Sequence, residues 1–381
     1  MKSELFVLIG VVVFLILLVV GLSFGPNSFF IASQNPDSIK IGLTLPLTGE
    51  AASFGQSGLA GAMLAVDEIN SSGGINGKKI NLFVEDDKCS SEAGLDAAQK
   101  LVNVDNVEFV TGFVCSTAAA PALRVLEEQK IPSVLLMAAA PDLTKVGGLV
   151  FRIYPSNTLQ GEEAAKFVVQ ILKKKNMAIV KVNNDWGEGL GKAFANKVLE
   201  LGGNIVLIEA INPGFSDYKG VFAKVKASGA DALYLPLYPA DSVLAFKQIK
   251  ELGLELPVVG ADSWSGQEVY GSEYSRGMIF IVPKVNLPKD FSAKLVLLRG
   301  FENLKINYNA SLAYDAVKIF AESKAKSEKN NSSLIEEFRK DSFEGVSSAR
   351  IAFNLKGDVT EYSFDVMKIT NNSVVNYLDS N

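Results

Sequence analysis

Short apolar runs alternate with helical patterns from Ile39 onward, and this alternation constrains the fold more than any other feature. The runs that predict strands are Ile39–Leu45, Ile80–Glu85, Phe109–Val114, Ser133–Leu136, Ala178–Val182, Ile205–Ala210, Ala232–Leu235 and Val258–Ala261. Between them apolar residues recur at spacings of three and four, as in Leu59, Ala62, Met63, Val66 and Ile69. Repeated strand–helix–strand units predict an α/β fold in which helices cover both faces of a parallel sheet.

The length and composition limit the number of domains and the kinds of chemistry. A chain of 381 residues is too long for one ordinary core, so two domains are expected. The net charge is −5, and no basic cluster suggests nucleic acid. The sequence has no histidine and only two cysteines, which excludes imidazole catalysis and a Cys-rich metal site. No cofactor loop or nucleophile–base pair is found, so we expect neither an enzyme nor a cofactor.

The N-terminus carries an apolar run from Leu5 to Phe24, 20 residues without a charge. Such a run spans about 30 Å as a helix, the hydrocarbon thickness of a bilayer. It is longer than the core of a cleaved signal peptide, which is the alternative. We therefore expect a transmembrane signal-anchor over residues 1–25, followed by a tether over 26–38. Lys2 favours a cytoplasmic N-terminus, with the remaining domain on the extracytoplasmic side of the cell membrane.

Several polar and aromatic residues lie where predicted strands end, and ligands bind at such ends in open parallel sheets. Ser116 and Thr117 follow one strand and open an Ala-rich helix, where they suit either a carboxylate or a simple helix cap. Trp186 and Tyr238 come at successive strand ends, which favours a pocket over core packing. Asp262 ends a fourth strand, and a cap for the next segment is one explanation of it.

Two cysteines and two aspartates flank the first strand ends. Cys89 and Cys115 lie at the ends of neighbouring predicted strands, so they form either a disulfide, as exported domains favour, or two separate buried thiols. Asp86 and Asp87 have no third ligand nearby, and we interpret them as a turn or cap rather than a metal site.

The order of these motifs resembles one family of binding proteins. The segments IKIGLTLPLTGEAASFG, DDKC, VCST, WGEG and ADS, between about Ile39 and Ile369, resemble the leucine/isoleucine/valine-binding family. These are type I periplasmic solute-binding proteins of ABC transporters for branched-chain amino acids. The resemblance implies two Rossmann-like lobes joined by a three-strand hinge. The chain itself suggests a first crossing near Tyr154; the resemblance adds crossings near Ile281–Val282 and Gly357–Thr360. Lobe one then takes 39–154 and 282–358, and lobe two takes 155–281 and 359–379.

The resemblance also implies roles for individual residues. Ser116 would hold the α-carboxylate of a ligand, together with the backbone at Ala138 and Ala139, where relatives often have a hydroxyl at the Ala139 position. Asp262 would meet the ligand ammonium. The matching cysteine contexts favour a disulfide between Cys89 and Cys115. Aromatic residues would cover the ligand; they are Phe54, Trp186 and Tyr238. Tyr308 and Tyr314, near the start of a lobe-one helix, receive no assignment.

The function implied is that of an extracytoplasmic solute-binding protein. It would capture a small amphipathic ligand, such as a branched-chain or other apolar amino acid, by closing the hinge. Its partners would be the permease and ATPase subunits of an ABC transporter and, through the N-terminal helix, the membrane. The alternative is a membrane-anchored sensor or receptor ectodomain for amides, amines or small organic acids, although no C-terminal signalling domain follows.

Overall fold

The computed structural model describes residues 37–49, 51–371 and 373–380. The predicted anchor, residues 1–25, and all but the last two residues of the predicted tether lie outside this part. The strands are β1 (Ile39–Leu45), β2 (Ile80–Asp86), β3 (Phe109–Gly112), β4 (Ser133–Leu135), β5 (Val150–Arg152), β6 (Asn176–Val182), β7 (Asn204–Ile211), β8 (Ala232–Tyr234), β9 (Val258–Gly260), β10 (Ile279–Pro283), β11 (Phe364–Ile369) and β12 (Val374–Asn376).

The α-helices alternate with these strands through most of the chain. They are α1 (Ala52–Ser71), α2 (Ser91–Asn103), α3 (Ser116–Glu128), α4 (Asn157–Lys166), α5 (Asp185–Glu200), α6 (Lys219–Ala227), α7 (Pro239–Glu251), α8 (Gln267–Tyr270), α9 (Lys289–Leu295), α10 (Asn309–Asn330) and α11 (Leu334–Lys340). None of the helices in the described part of the chain is both long and apolar enough to span a bilayer.

The first sheet confirms the predicted parallel arrangement. Its strand order is β2-β1-β3-β4-β5, and every neighbouring pair is parallel. In β1 only Lys40 is not fully buried, because helices cover both faces of the sheet. Helix α1 follows β1 as the apolar spacing predicts, and the chain leaves it through Gly73 and Gly74, whose φ angles of +108° and +82° favour glycine. The alternation in the sequence therefore specifies this sheet well.

The second sheet mixes parallel and antiparallel strands. Its order is β12-β11-β10-β9-β8-β6-β7, and the strands β6 to β10 run parallel to one another. Strands β11 and β12 are antiparallel additions at one edge, where Ile281 pairs with Val366. The sequence pattern did not predict β11, because five of its six residues are only half-buried and form no continuous apolar run. The predicted strands Ile205–Ala210 and Val258–Ala261 are both present, as β7 and β9.

Two groups of buried side chains divide the described residues into lobes. Lobe one is the first sheet with α1, α2, α3, α9, α10 and α11, and its core includes residues from both 39–154 and 291–359. The rings of Phe109 on β3 and Phe320 on α10 stack with centroids 4.4 Å apart. Lobe two is the second sheet with α4 to α8. A Cβ added at Gly61 would lie 1.9 Å from the Ala310 carbonyl oxygen, so α1 and α10 pack backbone to backbone.

The chain passes between the two sheets three times. The passages lie between β5 and α4, between β10 and α9, and between Val359 and β11. Arg152 at the end of β5 is fully buried. Its Nη2 donates a hydrogen bond to Asp358 Oδ1 at 2.5 Å, and its Nη1 donates to the Ala140 carbonyl at 2.8 Å. The Asp358 side chain is 23% exposed, and the pair joins the end of β5 to the segment that precedes the third passage.

Candidate functional site

A cavity of about 520 Å³ lies where strand ends of the two lobes face each other. Lobe one contributes the loops after β1, β2, β3 and β4, and lobe two contributes those after β6, β7, β8 and β9. The lining residues are Gly49, Ala51, Phe54, Lys88, Cys89, Val114, Cys115, Ser116, Thr117, Met137, Asn183, Asn184, Trp186, Pro213, Tyr238, Pro239, Asp262 and Ser263. A cavity of this size at a domain interface suits a small organic molecule.

One end of the cavity is built by the start of α3; we call Ser116, Thr117 and the first N–H groups of this helix the donor end. Cys115 takes the N-cap position and makes no side-chain cap, so the Ser116 side chain is not the helix cap. Ser116 Oγ accepts a hydrogen bond from the Ala140 N–H at 3.1 Å, which leaves its own hydrogen free to donate. The Thr117 hydroxyl is buried and has no hydrogen-bond partner among the described residues. Unused donors at a helix N-terminus favour an anionic group.

The donor end is supported by a disulfide and a buried carboxyl. Cys89 and Cys115 form a disulfide with Cα atoms 5.3 Å apart, as the sequence predicted. Asp87, next to it, accepts hydrogen bonds from the Cys89 N–H at 2.9 Å and from the Thr44 hydroxyl at 3.3 Å. Burial raises the pKa of Asp87 to about 6, against the lowering effect of these two bonds. The loop that carries the donor end is thereby fixed to β1 and β2.

Asp86 and Asp87 shape this turn. Asp86 accepts hydrogen bonds from the Leu47 and Lys88 N–H groups at 2.9 and 3.0 Å and from the Thr48 hydroxyl at 2.6 Å. This matches the turn that the sequence favours. Within the described ranges of the chain, no three metal-binding side chains come together.

Ala138 and Ala139 do not line the cavity. Their exposed fractions are 0% and 1%, and Met137 reaches the wall in their place. The Ala138 N–H donates to the Phe113 carbonyl at 2.9 Å, and the Ala139 carbonyl accepts from the Asn157 N–H at 2.8 Å. The Ala138 donor is thus occupied within the protein. The contact of the Ala138 and Ala139 backbone with a ligand stays a prediction, whereas Ser116 and Thr117 line the cavity directly.

Aromatic rings form the lobe-two wall of the cavity. Trp186, on the first turn of α5, and Tyr238, at the N-cap of α7, stack with centroids 5.3 Å apart and an interplanar angle of 13°. Asn184 caps α5 by accepting from the Gly187 N–H, and its Nδ2 donates to the Tyr238 hydroxyl at 2.8 Å. Trp186 is 7% exposed and also packs into the lobe-two core. Phe54 lines the opposite, lobe-one side of the cavity.

Asp262 lines the cavity from lobe two, and we call this part of the cavity the acceptor end. It follows β9 and opens the 3₁₀ turn Asp262–Ser265, whose N-cap is Ala261, so Asp262 is not a cap. The residue is 4% exposed. Its Oδ2 accepts a hydrogen bond from the Tyr154 hydroxyl at 2.8 Å, whereas Oδ1 has no hydrogen-bond partner in the described part of the chain. Burial raises the pKa of Asp262; the Tyr154 bond and the nearby Gln160 amide oppose that rise.

The structure adds residues that the sequence interpretation missed. Lys88, Asn183 and Asn184 line the cavity, and each follows a strand end, the same signal that identified Ser116. Tyr154 was predicted only as a crossing point. The local sequence does not mark it as part of the acceptor end, since its contact with Asp262 joins residues 108 positions apart.

The two unassigned tyrosines lie in different surroundings. The Tyr308 hydroxyl lies 3.3 Å from that of Tyr154, close to the acceptor end. The Tyr314 hydroxyl donates to Glu68 Oε2 at 2.5 Å within lobe one. Neither residue lines the cavity.

A cavity at the strand ends of two facing α/β lobes, with donors from one lobe and a carboxylate from the other, defines a two-lobed solute-binding protein. Comparisons with known proteins agree. A family model described as periplasmic binding protein matches residues 38–373. The chain therefore belongs to the periplasmic binding protein family, in its Leu/Ile/Val-binding branch, which confirms the resemblance seen in the sequence.

Curated relatives and solved structures cover nearly the whole domain. The leucine-, isoleucine-, valine-, threonine- and alanine-binding protein of Pseudomonas aeruginosa is 30% identical over 341 residues, 88% of this chain and 90% of the relative. The Leu/Ile/Val-binding protein BraC3 of Rhizobium johnstonii is 33% identical, covering 87% and 91%. The structure of the branched-chain amino acid transporter substrate binding protein LivJ of Streptococcus pneumoniae, in complex with isoleucine, is similar with a TM-score of 0.77 and 27% identity, over 88% of this chain and 97% of that one.

Proposed function

We propose that the protein captures an amino acid with an apolar side chain and delivers it to an ABC transporter. The observation that carries this proposal is the pairing of two opposite ends in one cavity: free donors at Ser116 and Thr117, and the buried, half-partnered carboxyl of Asp262. An α-amino acid has the complementary groups, a carboxylate and an ammonium. The names of the two curated relatives and the isoleucine complex of the structural neighbour support the same ligand class.

The proposed binding mode assigns each part of the ligand to a group of residues. The α-carboxylate lies at the donor end, where Ser116, Thr117 and the N-terminus of α3 donate hydrogen bonds. The ammonium lies against Asp262 Oδ1, where a charge-assisted hydrogen bond compensates the cost of burying the carboxylate. The side chain packs on apolar surface offered by both lobes, namely Phe54, Met137, Trp186 and Tyr238.

We infer that the three passages between the sheets act as a hinge. The division into 39–154 with 282–358 and 155–281 with 359–379 gives two bodies that meet at the cavity. The donor end belongs wholly to lobe one, so a ligand docks there first and lobe two then closes over it. The closed form is the one that a membrane permease and its ATPase would recognise. The proposed role is capture and release without chemical conversion of the ligand.

We also propose that residues 1–25 hold the domain at the outer face of the membrane, with 26–38 as the tether. The support is the uncharged run Leu5–Phe24, whose length matches a bilayer. Mass spectrometry of the mature protein, isolated from membranes, tests this directly. We expect a peptide that includes residues 5–24; a mature N-terminus beyond Phe24 would show instead that the segment is a cleaved signal.

Thermal unfolding of the full chain in mild detergent tests the ligand class. The panel comprises the apolar amino acids, the matching amides and amines, and short organic acids. A ligand at 100 times its dissociation constant stabilises the folded protein by about 2.7 kcal/mol, which gives a measurable rise in Tm. We expect L-leucine, L-isoleucine or L-valine to give the largest rise. A larger rise with an uncharged amide or a plain organic acid would contradict the proposal.

A further inference from the structure

A chain of buried hydroxyl groups leads away from the acceptor end of the cavity. Asp262 Oδ2 accepts from the Tyr154 hydroxyl at 2.8 Å, and the Tyr308 hydroxyl lies 3.3 Å from that of Tyr154. The Tyr154 and Tyr308 rings are nearly parallel, with centroids 6.2 Å apart and an interplanar angle of 3°. Ser265 Oγ approaches the Tyr308 hydroxyl at 3.5 Å. These groups form a continuous path from the cavity into the protein.

The members of this chain come from different lobes. Tyr154 follows β5 at the first passage between the sheets, Tyr308 is the N-cap of α10, and both pack with the lobe-one core. Asp262 and Ser265 belong to the 3₁₀ turn of lobe two. The carboxyl of the acceptor end is therefore held by a hydroxyl of the opposite lobe.

The proton positions along the chain follow from the chemistry of its members. An ionised carboxylate only accepts hydrogen bonds, so the Tyr154 hydroxyl donates to Asp262. The Tyr154 oxygen can then accept from the Tyr308 hydroxyl. Ser265 Oγ donates to the Asp262 carbonyl at 2.7 Å, so its longer approach to Tyr308 is a weak contact. The ordered part of the chain is thus Tyr308 to Tyr154 to Asp262.

The charged and titratable groups around Asp262 leave these hydroxyls protonated. Three tyrosines lie close enough to Asp262 for its charge to affect their pKa values: Tyr154, Tyr234 and Tyr308. Burial is the larger cause and the negative charge of Asp262 the second, and both raise the pKa of each hydroxyl above the usual value for tyrosine. No lysine or arginine forms an ion pair with Asp262 in the ranges that the structure describes. Lys88 shares the cavity. Tyr154 is therefore a permanent donor to Asp262 across the working pH range.

We propose that Tyr154 is a positioning residue for ligand recognition: it fixes Asp262 through Oδ2 so that Oδ1 faces the ammonium of the ligand, and Tyr308 orients Tyr154. The inference rests on the proposed amino acid ligand and extends it to residues that do not line the cavity. Because the donor and the acceptor belong to different lobes, this positioning exists only when the lobes are together. Ammonium recognition is thereby tied to closure.

Isothermal titration of the full chain with L-leucine, L-isoleucine and L-valine between pH 5 and pH 8 tests the inference. Tyr154→Phe keeps the ring and removes one hydrogen bond to a charged group, so we expect the affinity to fall about 10- to 100-fold. Loss of the donor makes the ionised carboxylate harder to form, so the decline of affinity toward acid pH should begin at a higher pH than in the wild type. Tyr308→Phe should shift the dependence of affinity on pH in the same direction and lower the affinity about two- to fivefold.

A double-mutant cycle separates positioning from a general structural effect. In an Asp262→Asn background the charge is gone, so we expect Tyr154→Phe to weaken binding less than about threefold. The matched control is Tyr314→Phe, which removes a tyrosine–carboxylate bond, to Glu68, outside the cavity. It should leave both the affinity and the pH profile unchanged.

The possible outcomes distinguish the inference from the proposed function. Suppose that the wild type binds these amino acids. The positioning role is wrong if Tyr154→Phe binds them within threefold of the wild type. It is also wrong if Tyr154→Phe lowers the affinity by the same factor in the wild-type and Asp262→Asn backgrounds. If Tyr154→Phe does not fold, Tyr308→Phe decides, and an unchanged pH profile there would overturn the inference. If the wild type binds none of the three amino acids, the proposed function fails and the inference fails with it.

Discussion

The two ends of the cavity are built in different ways. The donor end lies entirely in lobe one, uses neutral groups, and is supported by the Cys89–Cys115 disulfide. The acceptor end uses one carboxyl, Asp262, which lobe two supplies and which Tyr154 of lobe one holds. In the proposed hinge closure the donor end is complete before the lobes meet, whereas the acceptor end requires both lobes. This difference implies an order of events, docking by the carboxylate and then recognition of the ammonium, and it implies unequal energies at the two ends.

The largest effect is expected at the acceptor end. Asp262→Ala leaves the ligand ammonium buried without a partner, which costs on the order of 3–5 kcal/mol, more than a hundredfold in affinity for L-leucine. Calorimetry measures it. The matched control is Asp241→Asn, another buried carboxylate of lobe two, which accepts from the Gly214 N–H and does not line the cavity. Binding by Asp262→Ala within threefold of the wild type would remove Asp262 from the binding site.

The disulfide should affect the stability of the donor end more than its chemistry. Cys89 and Cys115 are 26 positions apart, and closing such a loop stabilises the folded state by roughly 3–4 kcal/mol in the chain-entropy model. We expect the double Cys→Ser variant to unfold at lower urea concentration. Its affinity for L-leucine should stay within tenfold of the wild type, since Ser116 keeps its bond to the Ala140 N–H. Unchanged urea unfolding would mean that the disulfide does not stabilise lobe one.

Asp87 gives the donor end a pH-dependent stability. Burial raises the pKa of Asp87 from 3.8 to about 6, so the folded state binds the proton more tightly than the unfolded chain. The free energy of unfolding should therefore fall as pH rises from about 4 to about 6, by roughly 2–3 kcal/mol from this group. Asp87→Asn should remove that fall and be more stable than the wild type at pH 7.

Urea unfolding at pH 4.5 and pH 7 measures the Asp87 effect. Burial also raises the pKa of Asp315 to about 6, so part of the pH dependence of the free energy of unfolding should remain in Asp87→Asn. A pH slope in Asp87→Asn equal to that of the wild type would show that Asp87 ionises freely in the folded protein.

The smallest effect is expected from the Ser116 hydroxyl. Ser116→Ala removes one hydrogen bond to the ligand carboxylate, worth about 1.5–3 kcal/mol, while Thr117 and the α3 N-terminus remain. We expect calorimetry to show a smaller loss of affinity than for Asp262→Ala. Ser133→Ala serves as the control, because Ser133 is a buried lobe-one serine that does not line the cavity. A loss larger than that of Asp262→Ala would reverse the proposed ranking of the two ends.

The two ends also differ in how far the sequence predicts them. Ser116, Trp186, Tyr238 and Asp262 were placed at strand ends from the alternating pattern, and the structure brings all four to one cavity. Ala138 follows a strand as well, yet its N–H is bonded to Phe113, a pairing that no local pattern reveals. Strand ends are encoded locally, whereas the use of each backbone group depends on its tertiary neighbours.

Contacts between distant segments set the remaining limit. Helix α10 packs on α1 at Gly61 and Ala310, and Tyr154 meets Asp262 across the lobes. The return of the chain to lobe one followed from the family resemblance, since composition alone does not show it. The inter-lobe hydrogen bond of Tyr154 had no signal in the sequence. Side chains that form contacts between the lobes can therefore be identified only from the structure.

The most direct test of the account compares three ligands that share one side chain. They are L-leucine, 4-methylpentanoate, which lacks the ammonium, and 3-methylbutylamine, which lacks the carboxylate. Calorimetry on the wild-type protein should find L-leucine bound most tightly, 3-methylbutylamine weaker, and 4-methylpentanoate weakest, more than a hundredfold below L-leucine. Binding of 4-methylpentanoate within threefold of L-leucine would contradict the central claim that the cavity recognises an amino acid at both of its ends.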